Sequence, residues 1–191
     1  YKDDEINLLN LEKSLLGLHQ IDNAALAVKL TMVYAHKVGL SLSEEAIRVG
    51  LRRTFWPARM EEVSQAPLTL LDGAHNVHAM QRLLENLKNE FSGRKITILF
   101  SALVTKDITE MIKILQTVDN SKLILTTFDY PKALKLEDFA YLEKENVTLA
   151  EDWKSTYAAL KENLHEEDVL LMTGSLYFMS QIRAYILESE Q

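Results

Sequence analysis

The chain has no cysteine, only six glycines and three prolines in 191 residues, and no excess of basic side chains. Each shortage excludes something. Without cysteine there is no disulfide, no thiolate nucleophile and no sulfur-ligated metal, and a reducing compartment suits such a chain. The glycines form no Gly-x-x-x-x-Gly-Lys-Ser/Thr loop, so these residues cannot cradle nucleotide phosphates in the usual backbone nest. A net charge of −7 argues against general affinity for nucleic acid, which draws on concentrated lysine and arginine. No apolar run approaches the roughly 18 residues of a membrane span. The acidic start Tyr1-Lys2-Asp3-Asp4-Glu5 is unlike the basic opening of a signal peptide. The cytoplasm is the expected setting, with neither membrane nor nucleic acid as partner.

What is present is ordinary globular material, 47% hydrophobic and 26% charged, enough for a core. The apolar residues Ile6-Asn7-Leu8-Leu9-Asn10-Leu11 suggest a strand without partners. From 22 to 38 the period turns helical: Ala24, Ala27, Leu30, Tyr34 and Val38 form one stripe, which Leu26 and Val33 widen, and Gly39 stops it. So wide a stripe predicts burial on several sides. Ser43 is the expected N-cap of a second helix, with Glu44 and Glu45 at the positive end of its dipole.

Beyond Thr54-Phe55-Trp56-Pro57-Ala58 the pattern changes. Short apolar runs at 68–71, 96–101, 122–127 and 168–173 alternate with helical patterns at 77–90, 108–115, 153–164 and 176–187, and a shorter one at 134–142. Unbroken apolar strands alternating with helices predict an α/β fold: a mostly parallel, doubly wound, Rossmann-like sheet with helices on both faces. The expected boundary lies near residue 55, with 56–191 a complete domain and 1–55 a helical remnant of a larger one, since two helices cannot close a core alone. Such a remnant would expose apolar surface and favour self-association.

The most informative stretch is Leu70-Leu71-Asp72-Gly73-Ala74-His75-Asn76, where a buried-type strand ends in polar groups and runs into a helix. In an open α/β sheet, ligands bind in the crevice beyond the strands' carboxyl ends. Asp72, His75 and Asn76 would reach it. Turn and helix capping by Asp72 and Asn76 would explain the same residues. His75 and His78 with Asp72 raise a zinc site and a small metal hydrolase, although no His-Glu-x-x-His pattern is present. Arg59 could hold a phosphate through paired hydrogen bonds, or pair on the surface with Glu61 or Glu62. His19, Gln20 and Asn23 present the donors and acceptors a purine edge requires, while Asp22 or Asn23 could instead cap the first helix. Thr173-Gly174-Ser175-Leu176-Tyr177-Phe178 repeats the strand, glycine, polar residue, helix design. Ser175 there could bind a carboxylate or cap a helix, but no triad partner makes it a nucleophile. Asp107 suits an N-cap, and Lys106 stands at a strand end where a ligand could lie.

In order, His19-Gln20-x-x-Asn23-Ala24, Trp56-Pro57-Ala58-Arg59-Met60-Glu61, Leu71-Asp72-Gly73-Ala74-His75-Asn76, Lys106-Asp107, Thr126-Thr127-Phe128-Asp129-Tyr130-Pro131-Lys132-Ala133 and Thr173-Gly174-Ser175-Leu176-Tyr177-Phe178 resemble the C-terminal half of folylpolyglutamate synthase, often also a dihydrofolate synthase, within the Mur ligase superfamily. The resemblance covers essentially the whole chain. It implies an ATP-dependent amide ligase that adds L-glutamate to the glutamate tail of a folate through an acyl phosphate. It further implies that residues 1–55 end the ATPase domain and that 56–191 form the Mur ligase C-terminal domain. By motif, Asn23 falls at the adenine, Arg59 at the terminal phosphates and Asp72 at the ribose or domain cleft. His75 and Ser175 fall at the incoming glutamate or the closing interface, with Asp72 and His75 as the catalytic pair. ATP and Mg2+ are the implied cofactors, and the family carries the phosphate loop and metal ligands in the N-terminal ATPase domain. The isolated chain is therefore expected to be inactive, with no metal site of its own. Other readings are a different Mur-type ligase and a non-catalytic doubly wound binding module.

Three positions depart from the family. Ala58 stands where glycine is usual, Val77 where proline is usual, and Thr105 where aspartate is frequent. Alanine at 58 is tolerated unless its backbone needs a positive φ.

Overall fold

The computed structural model describes residues 1–2, 6–143 and 146–189. The chain divides into two units, Tyr1–Pro57 and Ala58–Gln191.

Two helices organise the first unit, α1 (His19–Lys37) and α2 (Glu44–Arg53). Ser43 caps α2 as its sequence predicts, its hydroxyl accepting from the Ala46 N–H. Helix α1 starts three residues before the predicted 22, at a Leu18 cap without a side-chain bond, so Asp22 and Asn23 lie inside its first turns and cap nothing. Ile6 to Leu11 form no strand: an isolated bridge between Lys2 and Asn7 is the pairing found. Leu8, Val28 and Ile47 make a small core. The α1 stripe is not buried on several sides. Leu26, Leu30, Val33 and Tyr34 are more than half exposed, because the core at Val28 covers one flank of the helix and leaves the rest open.

In the second unit the unbroken apolar runs become strands. In chain order the elements are β1 (Glu61–Gln65), β2 (Leu68–Asp72), α3 (Val77–Glu90), β3 (Ile96–Ser101), α4 (Ile108–Leu115), β4 (Ser121–Thr126), a 3-10 helix (Leu136–Leu142), β5 (Val147–Ala150), α5 (Trp153–Asn163), β6 (Val169–Gly174) and α6 (Leu176–Ser189). The six strands form one sheet in the order β1-β2-β6-β3-β4-β5. All neighbours are parallel except β1 and β2, which run antiparallel. This is the predicted mostly parallel α/β sheet, with β1 and β5 added at its edges.

The strand order dictates where the helices go. Right-handed crossovers from β2 to β3 and from β3 to β4 put α3 and α4 on one face, while the return from β5 to β6 puts α5 on the other. The packing agrees. Trp153, Tyr157, Phe178, Ile182 and Ile186 of α5 and α6 share a core with Leu71, Leu99, Ile124 and Met172. Met80, Leu83 and Leu87 of α3 and Met111, Ile112 and Leu115 of α4 are buried as well. Asn76, Asp107 and Asp152 cap α3, α4 and α5 by accepting from Ala79, Glu110 and Ser155 N–H groups.

Candidate functional site

Strand β6 lies between β2 and β3. The helices that follow β2 and β3 cover one face, whereas α6, which follows β6, packs on the other. The chain therefore parts to opposite sides at the carboxyl end of β6, which is where open α/β sheets leave a crevice. A cavity of about 270 Å³ occupies that place, lined by His75 after β2, Ala102, Leu103, Thr105 and Lys106 after β3, and Ser175, Leu176 and Tyr177 after β6. Three predicted or flagged residues, His75, Lys106 and Ser175, thus meet around one volume.

Asp72 ends β2, three residues before His75, and is buried. Its two oxygens accept from the Met60 N–H at 3.0 Å and the Ala74 N–H at 3.0 Å. Burial pushes its carboxyl up from 3.8 to about 6, and the two N–H bonds, together with the charges of Arg59 and His75, hold it from rising further. His75 Nδ1 lies 2.8 Å from the Gly73 carbonyl. A carbonyl can only accept, so Nδ1 carries the proton there. When the ring is neutral, Nε2 is then its acceptor.

The turn that carries Arg59 is stitched to the end of β2. Ala58 and Met60, on either side of Arg59, both have left-handed backbones, φ 54° and 47°. Met60 N–H donates to Asp72 and Gly73 N–H donates to the Ala58 carbonyl at 2.8 Å. Position 58 does require a positive φ, the condition under which alanine is a strained substitute for glycine. Arg59 does not form the predicted surface pair. Glu61 is buried and turns away to Arg183 Nε at 2.8 Å. The guanidinium of Arg59 is exposed and close enough to Asp72 to favour its charged form.

At β6 the structure favours the capping alternative. Ser175 Oγ accepts from the Tyr177 N–H at 3.2 Å, and its carbonyl accepts from Met179 N–H. Gly174 holds φ 124°, and a Cβ there would sit 1.9 Å from the Ser101 carbonyl oxygen, so both the angle and the space call for glycine. Among the described residues, the buried hydroxyls of Ser101 and Thr173, at the ends of β3 and β6, have no hydrogen-bond partner. That is unused bonding capacity at strand ends beside the cavity.

The metal reading lacks a ligand set. Asp72 is committed to backbone donors, His75 to Gly73, and His78 is exposed. Among the described residues no group of three or more His, Asp or Glu side chains could hold a metal ion.

In the first unit, Asn23 donates to Gln20 Oε1 at 2.9 Å, and Gln20 Nε2 lies 3.1 Å from His19 Nε2. The three polar residues flagged at the start of α1 are thus joined to one another.

Residues 58–176 match the family described as Mur ligase, glutamate ligase domain. The chain belongs to this Mur ligase family. Dihydrofolate synthase/folylpolyglutamate synthase of Bacillus subtilis is 35% identical over 185 residues, which take in 96% of this chain and 43% of that protein. A solved bifunctional folylpolyglutamate synthase/dihydrofolate synthase of Yersinia pestis, complexed with AMPPNP and Mn ion, superposes with a TM-score of 0.81 at 26% identity, covering 97% of this chain and 43% of that one. FolC of Escherichia coli in complex with DHPP and ADP gives 0.81 at 25% identity, covering 100% and 44%. The chain thus spans about two fifths of the length of the relatives it matches.

Two residues stand out less in the sequence than in the structure. A lysine before an N-cap aspartate has no distinguishing spacing, yet Lys106 lines the cavity. Glu61, by sequence a candidate surface partner for Arg59, pairs with Arg183 instead. Its clue was a strand of otherwise weak apolar character, Glu61-Glu62-Val63-Ser64-Gln65, directly after the arginine turn.

Proposed function

We propose that this chain is part of an ATP-dependent amide ligase of the cytoplasm that adds L-glutamate to a folate, as folylpolyglutamate and dihydrofolate synthases do. The observation that supports it best is the cavity at the end of β6, where His75, Lys106 and Ser175 come together. Its volume of about 270 Å³ is small for a drug-sized ligand but suits an amino acid. Lys106 offers a cation for a carboxylate of the incoming glutamate, and Ser175 a hydroxyl for another oxygen.

The chemistry follows from the difficulty of the step. A carboxylate resists nucleophiles, so ATP first phosphorylates it. The glutamate amine then attacks the acyl phosphate carbon, the C–N bond forms, and inorganic phosphate leaves with the C–O bonding pair. Arg59 is assigned to the transferring phosphoryl group, whose charge it would offset. Nε2 of His75 is an acceptor beside the amine, suited to hold or take its proton. Asp72 holds the Met60 and Ala74 backbone and, by motif, meets the nucleotide ribose. Asn23 is assigned to the adenine. The phosphate loop is absent from these 191 residues, so the backbone cradle for ATP's phosphates and the ligands of Mg2+ would come from residues outside them, with Arg59 adding its charge from this side, and the chain alone should not ligate.

Replacing Arg59 by alanine in the complete ligase should lower glutamate incorporation roughly 100-fold, the scale of losing one transition-state contact, with the melting transition kept; Asp72→Ala should lower incorporation too, and also stability, because the Met60 and Ala74 N–H groups lose their acceptor. Unchanged turnover in both variants would remove the assignment.

A further inference from the structure

Arg59 is useful only if its turn is held, and the turn is built from residues that resist the shape. Ala58 and Met60 both occupy the left-handed region, at φ 54° and 47°, where L side chains crowd the following carbonyl. Three bonds keep them there. Met60 N–H reaches Asp72, Gly73 N–H reaches the Ala58 carbonyl, and Ala58 N–H donates to Glu61 Oε2 at 2.8 Å. The other oxygen of Glu61 accepts from Arg183 Nε at 2.8 Å, with the Glu61 side chain only 6% exposed. Arg183 belongs to α6, the helix whose first turn supplies Ser175, Leu176 and Tyr177 to the cavity. One buried carboxylate therefore ties the arginine turn to the helix that lines the cavity.

We propose that Glu61 is a positioning residue: charged and fixed by Arg183, it clamps the Ala58 N–H and so sets Arg59 in the place where it meets the phosphates of ATP. This rests on the reading of Arg59 given above. The ion pair with Arg183 fixes one Glu61 oxygen and leaves the other to accept from the Ala58 N–H. Without the clamp, residues 58–60 are free to leave the left-handed region, and the guanidinium moves with them. A misplacement of about 1 Å is enough to lose much of a positioned group's effect.

The test is a double-mutant cycle in the complete ligase, with kcat and the KM values for ATP and L-glutamate measured for Arg59→Ala, Glu61→Ala and the double variant. Glu61→Ala should raise KM for ATP roughly ten-fold, the factor expected for losing a charge-assisted hydrogen bond, and leave KM for L-glutamate within about two-fold. In the Arg59→Ala background the same change should add nothing to KM for ATP, because the group it positions is gone. Additive effects of the two substitutions, or equal damage to both KM values, would overturn the proposal. If Glu61→Ala does not fold, Glu61→Gln takes its place in the same cycle. Its carbonyl still accepts from Ala58 but its amide opposes Arg183, so a raised KM for ATP that vanishes beside Arg59→Ala is again expected, and an unchanged one overturns the proposal. A normal KM and kcat in Arg59→Ala alone is a separate result: it removes the phosphate role of Arg59 itself.

Discussion

Strands β2 and β6 are parallel neighbours that end within one residue of each other, β2 at Asp72, opposite Thr173, and β6 at Gly174, and each passes through a glycine into a helix. The two turns are nonetheless made differently. At β6 the turn is neutral: Gly174 lies close against the Ser101 carbonyl, which accepts from the Ser175 N–H at 2.9 Å, and Ser175 caps the helix. At β2 it carries an ionisable pair, Asp72 and His75, and a second segment, residues 58–61, is bound to it. The neutral turn is closed by backbone sterics. The charged one is held by side chains, which makes it sensitive to pH and able to anchor the turn that bears Arg59.

The comparison can be broken first at Gly174. Alanine there meets a backbone oxygen at 1.9 Å and a φ of 124° that L residues rarely adopt. The neutral turn has no way to yield, so a loss of roughly 3–5 kcal/mol is expected, read from the denaturant midpoint. A variant as stable as the parent would show that backbone contact does not close this turn.

The charged turn should respond to pH. Asp72 binds its proton more tightly folded, at about 6, than at the ordinary 3.8. Between those values the unfolded chain gives up the proton first, so stability falls as pH rises through that window and is flat above it. The interval is worth about 3 kcal/mol. Against an Asp72→Asn variant, the parent should therefore lose up to that much between pH 4 and 7. Parallel pH curves for the two proteins would refute it.

Gly73 should cost less than Gly174. A Cβ there lies 2.4 Å from Leu176 Cδ2, the free end of an exposed side chain that can swing aside, and 3.4 Å from the Ala58 oxygen. A loss of about 1–2 kcal/mol is expected, mostly recovered when Leu176 is also made alanine. Persistence of the full loss in that double variant would place the clash on the backbone instead. Smallest is Ser175→Ala, which removes one cap and should cost about 1 kcal/mol by thermal or denaturant unfolding.

How much of this could be read beforehand depends on what encodes it. Strands β2, β3, β4 and β6 lie inside the sheet, are apolar on both faces and were visible as unbroken runs; α3 and α4 were bounded by Asn76 and Asp107, whose caps are local chemistry. β1 and β5 leave no such run: an edge strand of Glu61-Glu62-Val63-Ser64-Gln65 draws its pairing from its neighbour and not from its own pattern. The Asp72 and His75 turn was legible as a site because a strand ran into polar residues. That Glu61 would ignore Arg59 and reach Arg183, 122 positions later in the chain, was not, since no local period records a tertiary ion pair. Ala58 was visible as a departure, but only its φ shows that the departure is strained.

Strand β1 has one more effect, at the rim of the sheet. A parallel sheet ending at β2 would offer Leu68, Leu70 and Leu71 on an open row of amide and carbonyl groups, a ready template for a strand from another molecule. Instead the row is covered by five residues running the opposite way, with Glu62 and Gln65 exposed and the register shifted between Glu62 and Ser64. The far rim is the four-residue β5. A polar, irregular border at β1 and a very short one at β5 make edge-to-edge stacking of sheets unfavourable at both ends of the second unit.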